Sequence, residues 1–197
     1  MSLEEMLYTY SLYKPVITVV LILINIAVFL METVAGGSTN TDVAIRFGAQ
    51  YSPYVKRGQW WRLLTSMFMH FGIMHLIFNM YSLYSLGSAA EYMLGGSRYL
   101  LLYLASGFCG NLSTLFVENR THNYTVSAGA SGAIFGLMGF YLVLAILPEY
   151  RQYVSTGNIM INLVINLLNG FMNKQINMKA HLGGLAGGIL ITLIFLA

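Results

Sequence analysis

The chain has 197 residues, of which 57% are hydrophobic and only 9% charged. An ordinary soluble domain carries about 25% charged residues, so this chain cannot cover itself in water, and its length suits about six crossings of roughly 20 apolar residues each. The net charge of +3 is scattered with no Lys/Arg cluster, which argues against a nucleic-acid partner, and the lone Cys109 leaves neither a disulfide framework nor a thiolate metal site.

In chain order, residues 1–14 form a short polar segment containing Lys14, and six helices are predicted after it. The first, Pro15–Ala35, is longer than a signal-peptide core, and Val34-Ala35-Gly36-Gly37 is a poor cleavage site, so it reads as a membrane helix. Gly36 to Met67 is a long connection. Its Trp60-Trp61-Arg62 cluster suits a headgroup boundary, where amphipathic rings and a cation are both stable. The second helix, Phe68–Met93, and the third, Tyr99–Val117, follow. The fourth, Ser131–Leu147, is closed by Pro148, which cannot continue a helix without losing a hydrogen bond. The fifth, Asn158–Phe171, carries Asn158, Asn162, Asn166 and Asn169 as one polar stripe. That stripe suits hydrogen bonds between helices, or a mobile gate whose loop, Gly170–Lys179, caps a site. The sixth is Ala180–Leu196. The expected fold class is therefore an all-α membrane protein, a bundle of six transmembrane helices.

Helices that alternate in direction place the starts of the second, fourth and sixth at one membrane face. His70, His75 and Asn79 lie near the first of these starts, Ser131 at the second and His181 at the third. Polar and ionisable groups inside a membrane are costly and point to function. The carboxylates within the spans, Glu32 and Glu91, are expected on the face opposite the serine. The other acids, Glu4, Glu5, Asp42, Glu118 and Glu149, fall outside the spans.

Gly129-Ala130-Ser131-Gly132 opens an apolar helix, with glycines that let backbone approach the serine on both sides. Unpaired N–H groups and the positive end of the helix dipole lie beside Ser131, which suits a developing oxyanion. His181 is followed on its own helical face by Gly184 and Gly188. Small residues at that spacing let membrane helices pack closely, and Gly132 and Gly136 offer the matching surface. Such packing brings the imidazole within reach of the Ser131 hydroxyl. With no acid expected beside His181, a Ser-His dyad is more economical than a triad: His181 takes the proton as Ser131 attacks a carbonyl and returns it to the leaving amine. Each feature alone also fits plain packing, as a small-residue helix contact or an interhelical histidine bond.

The serine motif, the final His-x-x-Gly-x-x-x-Gly, Trp61-Arg62, Glu91 and the stretch from His70 to Asn79 together resemble the rhomboid family of intramembrane serine proteases, over about Phe47 to Gly188. The resemblance implies that residues 15–197 are a protease domain with a long, partly embedded first loop, and that residues 1–14 are cytoplasmic. It implies His75 and Asn79 as oxyanion donors beside the Ser131 N–H, a supporting role for Gly129 and His70, and a site open to the extracytoplasmic face. Rhomboids often carry Tyr four residues after the nucleophile; here Phe135 keeps the stacking on the histidine ring without the phenol. No metal or cofactor is expected. The implied partners are the lipid bilayer and single-span or polytopic membrane-protein substrates, and nothing in the pattern specifies an oligomer. Basic residues oppose this orientation, since only Lys14, Arg98 and Arg151 fall inside. The compact chain points to a prokaryotic cell membrane. Three rivals stay open: a transporter or channel, a metalloprotease using His70, His75 and His181, and a rhomboid-like binding protein without catalysis.

Overall fold

The computed structural model describes Tyr10, residues 12–172 and residues 177–197, with the side chains of 158, 163 and 167–172 outside that set. It is built of helices: α1 (Val16–Val34), α2 (Thr41–Phe47), α3 (Ser52–Lys56), α4 (Arg62–Thr65), α5 (Ile73–Leu94), α6 (Gly96–Thr121), α7 (Ser131–Ile146), α8 (Thr156–Met172) and α9 (Met178–Leu196). Short 3-10 turns at Ser66–Phe68 and Arg151–Tyr153 precede α5 and α8. Among the described residues the one β pairing is an isolated antiparallel bridge between Gln50 and Ser127.

The distribution of side chains is inverted relative to a soluble protein. Thr18, Asn25, Glu32, Ser82, Ser106 and Thr114 are buried, while Val20, Leu23, Leu30, Leu190, Leu193 and Ile194 face outward. Apolar surface on that scale needs lipid around it. By length and apolarity α1, α6 and α9 each suffice to cross a membrane. A fourth span exists if Arg62–Phe68 and Ile73–Leu94, which meet at 94°, are one broken crossing.

Helix α7 runs through the middle and is buried along nearly its whole length. Its 16 residues extend about 24 Å at 1.5 Å per residue, less than the roughly 30 Å of a hydrocarbon core. It is therefore too short to reach both surfaces of such a core. Helix α9 lies across α6 and α7 with almost no side chain between the backbones. A methyl on Gly184 would overlap the Gly132 carbonyl, and one on Gly188 the Gly136 carbonyl. On the α6 side, a methyl on Gly110 would come within 2.6 Å of the Ala180 carbonyl. The expected glycine faces thus meet residue for residue, but α6 completes a three-helix contact that the sequence reading assigned to two.

Several boundaries differ from expectation. The second helix does not begin at Phe68: the chain turns through Met69–Gly72 and α5 starts at Ile73, after Gly72 with φ of +85°. His70 consequently sits in the corner and not on the helix. The third helix runs four residues past Val117, so Glu118 belongs to α6. Glu91 lies at the far end from Ser131, where its carboxylate accepts from the N–H groups of Ile17 and Thr18 and from Thr18 Oγ1, capping α1. Glu32 lies at the serine end, accepting the His70 N–H, because α1 ends where α5 begins. Arg62 also departs from expectation. Trp60 and Trp61 are half exposed, but Arg62 is buried, donating to the carbonyls of Ile45 and Ala49 at 2.8 and 2.9 Å and to Gln59. It organises the connection between α1 and α5 from within.

Gly184→Ala is expected to push α9 off α7 and to cost about 1–3 kcal/mol, the usual range for overpacking. Unfolding midpoints in detergent test this. Gly157→Ala, where the nearest outside atom is 4.0 Å away, is the matched control.

Candidate active site

The chain before α7 turns sharply, and that turn presents the serine. Gly129 has φ of +138°, which side-chain-bearing residues rarely adopt, and a Cβ there would come within 3.0 Å of the His75 ring. The Gly129 N–H donates to the Ser66 carbonyl at 2.9 Å, and the Ala130 N–H to His70 Nε2 at 3.4 Å. With both residues held, α7 begins at Ser131. The first N–H groups of a helix have no intrahelical partner, so donors collect beside the hydroxyl.

His181 Nε2 lies 2.8 Å from Ser131 Oγ. The register explains the distance: Gly184 rests on Gly132, so the imidazole three residues before the first reaches the hydroxyl one residue before the second. Phe135, one turn into α7, stacks on the imidazole with centroids 4.2 Å apart and planes 14° from parallel. That ring restrains His181 to rotation in its own plane. Among the described residues no carboxylate bonds to the His181 ring.

His75 Nδ1 accepts the Phe71 N–H at 3.3 Å. A neutral imidazole that accepts at one nitrogen carries its proton on the other, so Nε2 is a donor. It is buried and, among the described residues, meets no protein acceptor. Between His75, Gly129, Ser131, Ser127, Asn111 and Asn177 lies a cavity of about 20 Å³. A water needs roughly 10–15 Å³ and a few polar partners, and these walls supply them. Asn79 is one turn further along α5, where its Nδ2 donates to the His75 carbonyl at 2.8 Å and its Oδ1 has no partner among the described residues. It does not line the cavity. His70 packs edge-on against His75 with centroids 5.0 Å apart and ties the corner to the serine turn. Among the described residues no three His, Cys, Asp or Glu side chains converge as metal ligands would.

Sequence reasoning missed the polar face of α6. Asn111 Nδ2 donates to the Leu63 carbonyl and to Ser66 Oγ. Glu118 accepts from Ser52 Oγ at 2.6 Å and from Thr125 Oγ1 at 2.7 Å, and pairs with Lys179 at 3.5 Å. The spacing Asn111, Thr114, Glu118 is that of one helical face and was the available signal.

Gly129→Ala is expected to cost about 1–3 kcal/mol of backbone strain and to displace the His75 ring. The unfolding midpoint and the ring nitrogen resonances of His75 report the two effects separately.

A family model described as the rhomboid domain matches residues 57–197. The chain is 41% identical over 177 residues to the rhomboid protease GluP of Bacillus subtilis (strain 168), which covers 89% of this chain and 34% of that protein. It is 41% identical over 143 residues to the putative rhomboid protease YdcA of the same organism, covering 72% of this chain and 70% of that one. RHOMBOID-like protein 7 of Arabidopsis thaliana is 38% identical over 146 residues, covering 72% of this chain and 45% of that protein. The chain thus spans about a third of the length of GluP and under half of the plant relative. With a family model matched over more than half its length, this chain belongs to the rhomboid family.

Proposed function

We propose that the protein is an intramembrane serine endopeptidase that cuts transmembrane segments of membrane proteins near the extracytoplasmic surface. The observation that carries the reading is the 2.8 Å approach of His181 Nε2 to Ser131 Oγ inside a helical bundle with an apolar exterior. In the mechanism Ser131 Oγ attacks the scissile carbonyl and His181 Nε2 accepts its proton. The proton passes to the leaving amine, and water, with His181 again as base, hydrolyses the acyl-enzyme. Phe135 holds the ring in plane through both transfers. The tetrahedral oxyanion is received by the Ser131 N–H and His75 Nε2–H, with Asn79 supplying the second hydrogen of its amide once substrate draws it toward the serine. Such donors act where charge develops and where water is scarce, so each is worth more than in solution.

In this reading all six long helices cross the bilayer, the recessed α7 sets Ser131 below the surface, and the connection from α1 to α5 is partly embedded. Residues 15–197 form the protease domain, and residues 1–14 lie on the cytoplasmic side of a prokaryotic cell membrane. Helix α8 acts as the gate. Asn162 Nδ2 donates to Ser85 Oγ at 3.1 Å and Asn166 Nδ2 to Ser82 Oγ at 3.0 Å, and these are polar contacts between α8 and α5 that a substrate can replace. Asn158 and Asn169, the other members of the stripe, have side chains outside the described residues, as does most of the loop expected to cap the site.

In liposomes with a labelled single-span substrate, Ser131→Ala and His181→Ala are expected to abolish cleavage, and a fluorophosphonate should map to Ser131. Cleavage surviving Ser131→Ala sinks the mechanism. His75→Ala and Asn79→Ala are each expected to lower turnover on the order of 10²–10³-fold, the usual loss for one oxyanion donor. Full turnover in Asn79→Ala removes that residue from the hole. For the gate, a disulfide between cysteines at 82 and 166 should block the transmembrane substrate, and full activity of the cross-linked protein defeats the idea.

A further inference from the structure

Asn177 stands four residues before His181, and Ser127 four residues before Ser131. One side chain joins the two positions. Asn177 Nδ2 donates to Ser127 Oγ at 3.3 Å and to Thr114 Oγ1 at 2.8 Å. Its Oδ1 accepts from the N–H groups of Lys179 and Ala180 at 3.1 and 3.4 Å. A carboxamide has two donor hydrogens and one oxygen with two lone pairs, so its whole capacity is in use. The hydroxyls cannot reverse these bonds freely, because Thr114 donates to the Gly110 carbonyl and Ser127 to Gln50 Oε1.

We infer that Asn177 is a positioning residue for the reaction proposed above, and the inference rests on that reading of Ser131 and His181. It fastens the first turn of α9, which carries the imidazole, to the segment that leads into the serine, and fastens both to α6. Each anchor is itself fixed. Ser127 exchanges backbone hydrogen bonds with Gln50 at 2.9 Å in both directions. One turn beyond Thr114 on α6, Glu118 binds Thr125 and Lys179, a second tie running in parallel with the first. Asn177 also lines the small cavity beside Ser131.

Helix capping alone accounts for Oδ1 but not for Nδ2, and this difference makes the role testable. Serine caps a helix about as well as asparagine, yet is too short to reach Ser127 and Thr114 from the same backbone. Asn177→Ser, Asn177→Ala, Ser127→Ala and the double variant Asn177→Ser/Ser127→Ala are compared in liposomes with the single-span substrate. A misplacement of about 1 Å between reacting groups costs on the order of 100-fold, so kcat should fall by roughly 10- to 100-fold in both Asn177 variants. KM should stay within about twofold, the unfolding midpoint of Asn177→Ser should fall no further than that of Asn177→Ala, and the double variant should be no worse than Asn177→Ser. Full kcat in Asn177→Ser with a loss only in Asn177→Ala reduces Asn177 to a cap and overturns the proposal. Amide hydrogen exchange in the Ser131→Ala background reads the same tie without activity. Faster exchange over residues 125–131 in Asn177→Ser supports it, and unchanged exchange overturns it whether or not the wild type cleaves. Absence of cleavage by the wild type strikes the protease reading instead.

Discussion

Everything at the serine end depends on how closely α9 approaches α6 and α7. Where Gly184 lies on the Gly132 carbonyl and Gly188 on the Gly136 carbonyl, the separation is set by backbone atoms and not by side chains that could rotate away. Lipid offers no hydrophobic drive for helices to associate, so van der Waals contact of this kind and interhelical hydrogen bonds hold the bundle. A backbone contact has little slack. It transmits register, and one residue of sliding would move His181 past Ser131.

The second constraint is polar. Inside a membrane each buried donor or acceptor must find a partner, and α6 supplies many of them from one face. Asn111 holds the segment around Leu63 and Ser66, Thr114 holds Asn177, and Glu118 holds Ser52, Thr125 and Lys179. The helix bears no residue of the Ser131–His181 pair, but it is the surface on which their two segments are aligned. Several buried side-chain polar atoms among the described residues lack a partner, Ser106 Oγ and Asn119 Oδ1 on α6 among them, but of these residues it is His75 that lines the cavity beside Ser131. Most buried polar groups in native proteins are satisfied, and under the proposed mechanism the free His75 donor is the one left for the substrate's oxyanion.

What could be read from the sequence was whatever depends on spacing along one helix. The glycine faces of α7 and α9 follow from periods of three and four, the opening of α7 at Ser131 from its flanking glycines, and the stacking position of Phe135 from the resemblance to the rhomboid family. What could not be read depends on meetings between distant segments. Arg62 looks like an interfacial cation beside two tryptophans until Ile45 and Ala49 are seen folded around it. Glu32 was placed on the wrong face because its location depends on where α1 ends relative to α5. The break at Gly72 was hidden because Met67 to Phe71 is apolar enough to pass as helix, and its φ of +85° is a property only the folded chain reveals. Asn177 was invisible for the same reason: its partners lie 50 and 63 residues away.

The 50 residues that separate Ser131 from His181 also have a meaning in time. A ribosome adds about 5–20 residues per second, so several seconds pass between the emergence of the hydroxyl and that of its imidazole. During that interval α7 has its turn at Gly129 and its partner α6, both earlier in the chain, but lacks the helix that packs on their glycines. At that stage Ser131 has no His181 beside it, and the glycine faces of α6 and α7 on which α9 packs are uncovered. Under the proposed mechanism the serine gains its base only when α9 closes that groove.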